Sequence, residues 1–330
     1  MNAISNPSLF FFLLSIPTFQ NRFPYYEDNP AFYAAHLKKH HAFKVNGCDA
    51  VLGYILNSAV AKFHWPAEHW AVDSTNQTVT LNTAADATPE ERSKVMAETL
   101  AAEAKRGNFE ILKGWRNEKY PVYAPGGKFL LDMERCASPL FGIVSYGVHG
   151  TCYVEDEQGM QFWVPRRAKT KQTYPSMLDN SVAGGMSTSE RPFECLVREA
   201  EEEASLPEDV VRATAKSVGC VSYFYVRDSR AGGEVDLLQP EVEYVYDIKL
   251  SRDIVPKPSD GEVEEFKLYT VEETKKALAN GEFKPNCAVV FIDFFIRHGI
   301  LTPENEPDYF QILTRMHRRF EFPTASHFAN

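Results

Sequence analysis

The chain has no Cys-x-x-Cys pair. Its six cysteines (Cys48, Cys136, Cys152, Cys195, Cys220 and Cys287) are widely spaced. That excludes a zinc knuckle and a paired redox motif, and it reads as the reduced thiols of an intracellular protein. Positive charge is not in excess either. Thirty-five Lys and Arg stand against 45 Asp and Glu, for a formal net charge of -10, so nucleic acid is excluded as the main partner. The apolar run Ser8–Phe19 is too short for a membrane helix. It also lacks the positive leader and the clear cleavage site of a signal peptide. It reads as a buried strand or an extended N-terminal arm, with organelle targeting as the alternative. The expected location is the cytoplasm, with no stable membrane association. There is no internal repeat and no low-complexity tract.

What is present is an ordinary globular composition, 44% hydrophobic and 24% charged over 330 residues. That length fits about two domains of ~150 residues each. The pattern divides into an arm (1–20), a small α+β domain (21–140), a strand-rich second domain (141–300) and a C-terminal helix with its tail (301–330) packed on it. In the first domain Pro30 opens a helix, and strands flank Gly47. Thr88-Pro89-Glu90-Glu91 starts a second helix that runs to Gly107. His36, His40 and His41 lie close in sequence but lack an acidic partner, so they read as surface histidines. Gly114-Trp115-Arg116-Asn117-Glu118 reads as a packing anchor with an Arg–Glu pair rather than a substrate contact.

From Ser145 onward, strands are expected over 145–155, 160–165, 217–226, 241–250 and 262–268. Asp228–Gly233 reads as a mobile loop between two of them. Helices follow from Thr270 to near Gly281 and from Cys287 to His298, and a last one starts at Thr302.

The chemistry concentrates in Gly184–Leu206. Phe193, Leu196, Val197, Ala200 and Ala204 form one apolar helical stripe. Glu199, Glu202 and Glu203, at i, i+3 and i+4, share an arc roughly 100° wide beside it. Three ionised carboxylates that close repel one another. A hard divalent cation reverses the sign of that energy, because it takes oxygen ligands between carboxylates and phosphates. Arg198 stands four residues before Glu202 and pins it. A solvated acidic face with i,i+4 ion pairs is the plain alternative. Just upstream, Arg166, Arg167, Lys169 and Lys171 put four cations into six residues. Such a patch suits phosphate oxygens, Arg bidentately and Lys as a point charge; a solvated basic loop is the alternative.

Gly184, Glu190, Arg198, Glu199, Ala200, Glu202, Glu203 and Leu206 resemble the Nudix hydrolase signature Gly-x5-Glu-x7-Arg-Glu-U-x-Glu-Glu-x-Gly-U, where U is apolar. Ser205 departs from it, standing where the pattern has Gly. The resemblance implies an α/β/α sandwich around a mixed sheet, after the small α+β domain. It implies Mg²⁺ or Mn²⁺ held by Glu199, Glu202 and Glu203 with the Gly184 carbonyl. Arg198 would orient the carboxylates, Glu190 would fix the loop, and Arg166, Arg167, Lys169 and Lys171 would bind the substrate's phosphate. The general base stays open among the helix glutamates, Glu262 and Glu264.

A narrower likeness rests on WVPRRAKTKQTYPSMLDNSVAGG, Tyr146–Gly150, Phe283–Ala288 and Arg297-His298-Gly299. These resemble a fungal and plant branch similar to the Nudix half fused to thiamin pyrophosphokinase. That likeness implies hydrolysis of thiamin diphosphate, or of its oxy and oxo analogues, to the monophosphate. The alternatives are ADP-ribose or dinucleotide cleavage, isopentenyl diphosphate isomerisation with Cys152 or Cys195, and a non-catalytic diphosphate-binding module. The expected partner is a small-molecule diphosphate; oligomeric state is not legible.

Overall fold

The computed structural model describes residues 21–259 and 261–325. The reading of residues 1–20 as an arm lies outside them. Among the described residues no helix is long and apolar enough to cross a membrane.

The first half builds a four-stranded sheet from β1 (His40–Val45), β2 (Cys48–Leu56), β3 (Trp70–Asp73) and β4 (Thr78–Leu81), in the order β2-β1-β4-β3. A separate hairpin pairs β5 (Lys119–Ala124) with β6 (Lys128–Glu134). The helix Pro89–Arg106 begins in a complete Thr88/Glu91 capping box and ends at left-handed Gly107. Phe43, Val79, Leu81, Met96, Leu100 and Phe141 belong to the core that joins these pieces.

The second half is a mixed sheet, β10-β11-β7-β8-β12, made of β7 (Ser145–Asp156), β8 (Gly159–Arg167), β10 (Ala215–Val226), β11 (Leu238–Lys249) and β12 (Val263–Thr270). β7 and β11 run parallel and the other neighbours antiparallel. One edge of β7 is shared. Its second half pairs with β8, and its first half (Gly147–Gly150) pairs with β9 (Val182–Gly185). That split carries the glycine pair of β9 into the sheet's middle.

Strand alternation sorts side chains into two cores. Phe162, Val164, Val221, Tyr223 and Val245 face the helix Pro285–Arg297. Trp163, Phe224, Tyr246 and Ile248 face the helix Pro192–Ala204. The result is the expected α/β/α sandwich.

Two local expectations are corrected. His40 and His41 are buried, not on the surface, because they open a strand covered on both faces. Burial lowers His40 to about 4, and His41 Nδ1 meets Asn57 Oδ1 at 2.8 Å. The last helix starts at Tyr309. Residues 302–308 are turns, in which Asn305 Oδ1 accepts the Thr302 N–H at 2.8 Å and Pro307 has no N–H to continue a helix. The loop after Asp228 is stitched down, with Arg227 Nη2 donating to the carbonyls of Ala231 and Gly232 at 2.7 and 2.8 Å.

Candidate active site

The helix Pro192–Ala204 starts at a proline and buries Cys195, Leu196, Val197, Ala200 and Ala204. Its polar flank is organised by Arg198. Arg198 Nε and Nη2 donate to the two oxygens of Glu190 at 2.8 and 3.1 Å. Arg198 Nη1 donates to Glu199 at 2.8 Å and to Glu202 at 3.0 Å. Glu190 in turn accepts the Ser187 N–H at 3.1 Å, closing the loop before the helix. Burial pushes the Glu190 carboxyl up, but the Arg198 and Ser187 bonds outweigh it and hold it low. The helix closes at Ser205, which is left-handed (φ 52, ψ 31) with its hydroxyl on the Lys257 carbonyl at 3.1 Å.

Glu199 and Glu203 point the other way, into the molecule. Burial pushes the Glu199 carboxyl up to about 7 against the pull of Arg198. Burial, then the charges of Glu199 and Asp179, raise Glu203 well above the usual carboxylate range. Glu203 accepts the Ala183 N–H at 3.1 Å. A Cβ on Gly184 would stand 2.0 Å from the Glu199 carboxyl carbon. Glycine there therefore lets that carboxylate lie against the β9 backbone.

These residues fit a divalent cation in kind: two partly buried, mutually repelling carboxylates beside a strand carbonyl. Among the described residues, however, no three His, Cys, Asp or Glu side chains already stand together in a cation-holding group. Glu202 is half exposed and turned to Arg198. It joins Glu199 and Glu203 only by leaving that contact.

Beside the helix lies a cavity of about 720 Å³, lined by Gly184, Arg198, Glu199, Glu202 and Glu203. Of the upstream cations, Arg167 and Lys171 line it and Arg166 and Lys169 do not. Arg167 is buried and bonded to Asp179 and to the Thr173 and Tyr174 carbonyls, so its fork is occupied by the protein itself. Lys171 pairs with Glu262. Arg166 donates to the Ser176 carbonyl at 2.8 Å, and Lys169, 78% exposed, lies 3.9 Å from Glu264. Of the two downstream base candidates, Glu262 lines the cavity and Glu264 does not. Cys152 and Cys195 are buried and also absent from its lining. Burial pushes the Cys152 thiol up to about 12.

Two groups of lining residues were not assigned to the site from the sequence. One is Gly114, Arg116 and Glu118, read there as a packing anchor rather than a substrate contact, with Tyr120 and Arg135, all from the first half of the chain. The expected packing anchor thus reaches the cavity: Trp115 packs in the first-half core while its neighbours face the site. The other group is a buried acidic floor. Glu241 and Glu243 share the Tyr223 hydroxyl at 2.7 and 2.9 Å, and His149 Nε2 lies 3.7 Å from Glu243. A signal for the floor existed. Glu241 and Glu243 alternate in phase with Val245, which strand geometry buries.

Residues 26–145 match the model of a domain of unknown function (DUF4743), and residues 146–287 match that of the NUDIX domain. The chain is similar to an uncharacterized protein of Saccharomyces cerevisiae, 50% identical over 221 residues, 65% of this chain and 64% of that one. It is also similar to Nudix hydrolase 20, chloroplastic, of Arabidopsis thaliana, 37% identical over 70% of this chain and 59% of that one. The chain spans less than two thirds of the length of these curated relatives. Among solved structures, one from Deinococcus radiodurans matches 61% of this chain and 100% of its own at 18% identity, with a TM-score of 0.38.

Proposed function

Residues 146–287 form a Nudix domain, and from that premise we propose that the protein is a divalent-metal-dependent diphosphate hydrolase. The observation that carries this reading is the pair Glu199 and Glu203, partly buried side by side at the edge of a cavity. Such a pair is unfavourable as it stands and favourable once a cation lies between.

Glu199, Glu202 and Glu203, with the Gly184 carbonyl, would hold Mg²⁺ or Mn²⁺. A bound divalent cation offsets charge on a diphosphate and lowers the pKa of water. The chain's own residues do the rest. Arg198 orients Glu199 and Glu202 by charge-assisted hydrogen bonds. Glu190 anchors Arg198 and so holds the loop. Lys171 presents its charge to the phosphate. Glu262, beside Lys171 and inside the cavity, is the downstream candidate for taking the proton of the attacking water.

The finer reading is thiamin diphosphate, or its oxy and oxo analogues, cleaved to the monophosphate and phosphate. Besides the sequence likeness, the floor supports it. Glu241 and Glu243 put buried negative charge at the cavity wall, which suits a cationic or donor-rich ring. Isomerisation of an isopentenyl diphosphate is disfavoured, because both candidate thiols are buried away from the cavity.

The test is phosphate release with and without Mg²⁺ from thiamin diphosphate, its oxythiamin analogue and ADP-ribose. Metal-dependent orthophosphate from the thiamin compounds is expected. Two monophosphates from ADP-ribose alone would keep the hydrolase and sink the thiamin reading; no release from any of them would sink both.

A further inference from the structure

The hairpin β5–β6 and the segment before it are seated on the loop that precedes the glutamate helix. The Thr188 N–H donates to the Lys119 carbonyl at 2.8 Å, and the Ser187 hydroxyl reaches Glu118 at 3.4 Å. A Cβ on Gly185 would stand 1.7 Å from the Tyr120 hydroxyl oxygen. Only glycine lets that tyrosine lie against the strand next to Gly184. The seam is therefore fitted, not incidental.

Two arginines stand along it. Arg135 lies over the Tyr120 ring, 5.6 Å from its centroid, and donates to Glu118 at 2.8 Å. It lines the same cavity as Glu199 and Glu262. Arg116 is half exposed and lies 3.4 Å from Glu262, the carboxylate that also receives Lys171. Arg116, Arg135 and Lys171 thus gather on the cavity around Glu118 and Glu262, within reach of the glutamate helix. Guanidinium forks so placed match phosphate oxygens bidentately. The basic strand end is a poorer candidate, since Arg166 and Lys169 turn to Glu265 and Glu264 outside the cavity.

We propose that the domain of unknown function supplies the phosphate-binding arm of this site, through Arg116 and Arg135, so that the Nudix half is incomplete without it. The proposal rests on the diphosphate-hydrolase reading for its substrate, but not for its binding chemistry.

Its test uses the full chain and two readouts: calorimetric binding of inorganic pyrophosphate with Mg²⁺, and steady-state kinetics on the best diphosphate substrate. Arg116→Gln and Arg135→Gln are each expected to weaken pyrophosphate about tenfold and to raise KM about as much, while kcat changes less than about threefold. Arg135→Lys should retain more binding than Arg135→Gln. Folded variants that bind pyrophosphate within about twofold of the parent overturn the proposal, as does a parent chain that does not bind it. If Arg135→Gln unfolds by losing Glu118, Arg116→Gln carries the test from the half-exposed rim. The two readings fail separately. A parent that binds pyrophosphate through these arginines but hydrolyses nothing keeps the arm and loses the hydrolase. Unchanged KM in both variants, with turnover lost in Glu203→Gln, does the reverse.

Discussion

Two pairs of carboxylates face one cavity, and they settle their mutual repulsion in opposite ways. Glu199 and Glu203 stand one helical turn apart, and both are held up by burial, Glu199 against the pull of Arg198 and Glu203 with the added charges of Glu199 and Asp179. Arg198 takes one Glu199 oxygen, but little donates to the Glu203 side beyond one backbone N–H. Glu241 and Glu243 stand two apart on a strand, with Tyr223, Gln239 and His149 around them. Burial and the charge of Glu243 raise Glu241, whereas His149 and Tyr223 draw Glu243 below the usual range against burial. The strand pair therefore lies within a donor network that favours the charge on Glu243. The helix pair has no internal remedy. The strand arrangement is suited to recognising a donor-bearing ring, the helix arrangement to accepting a cation.

The sharpest way to break that contrast is to neutralise one member of each pair. Glu203→Gln is expected to lower metal-dependent turnover by on the order of 10²–10³-fold on every diphosphate, the scale of losing one preorganised electrostatic stabiliser. Glu243→Gln is expected to cost about tenfold on a cationic substrate and far less on ADP-ribose, because only the ring contact changes. Steady-state kinetics on both substrates decide it. Equal losses for the two variants on both substrates would erase the distinction between an ion-holding and a ring-reading pair.

A smaller effect separates the pairs by pH. Burial raises Glu199 to about 7 from an ordinary value of 4.5 and raises Glu203 well above that ordinary value. A raised carboxyl binds a proton in the folded chain that it would release on unfolding. The stability it contributes is present below about pH 4.5 and is lost as pH rises through about 7. Glu190 and Asp179, which are lowered, act at more acid pH and in the opposite sense. The melting temperature of the metal-free chain is therefore expected to fall by a few degrees from about pH 5 to about pH 8, with Mg²⁺ restoring more at the upper end. Glu203→Gln should flatten the fall. A melting profile level across that range would show that neither carboxyl is strained.

The helix pair was legible in sequence for a physical reason. Gly184, Glu190, Arg198 and the three glutamates lie within one short strand, the loop after it and one helix, so spacing places them near one another, although it does not show that Glu202 turns to Arg198. The strands and helices of the second half were legible from alternation and the Thr270 capping box, which are local signals, whereas their assembly into a sandwich was implied only by the family resemblance. Arg135 carries no such signal, and the run around Arg116 reads as a packing anchor rather than a substrate contact. They reach the cavity only because the β5–β6 hairpin packs on Gly185, and nothing near them in sequence announces that contact. Arg166 and Lys169 were named for proximity in sequence to the helix, yet the register of β8 against β12 turns them to Glu265 and Glu264. The acidic floor was half legible, in two glutamates placed where alternation calls for core residues.

The mildest prediction concerns the end of the helix that carries the first pair. Ser205 occupies a left-handed position where the family pattern has glycine. A non-glycine residue there costs about 1 kcal/mol or somewhat more. The Ser205 hydroxyl offsets part of that through Lys257, a hydrogen bond contributing about 0.5–1.5 kcal/mol net. Glycine removes the strain and the bond together. Ser205→Gly is therefore expected to leave stability within about 0.5 kcal/mol and turnover unchanged, whereas Ser205→Val keeps the strain, loses the bond and costs about 1–2 kcal/mol. Thermal melts of the two variants check this. A glycine variant melting more than about 5 °C higher would mean that the hydroxyl contributes nothing and that the helix holding Glu199 and Glu203 is under greater backbone strain than its single left-handed residue implies.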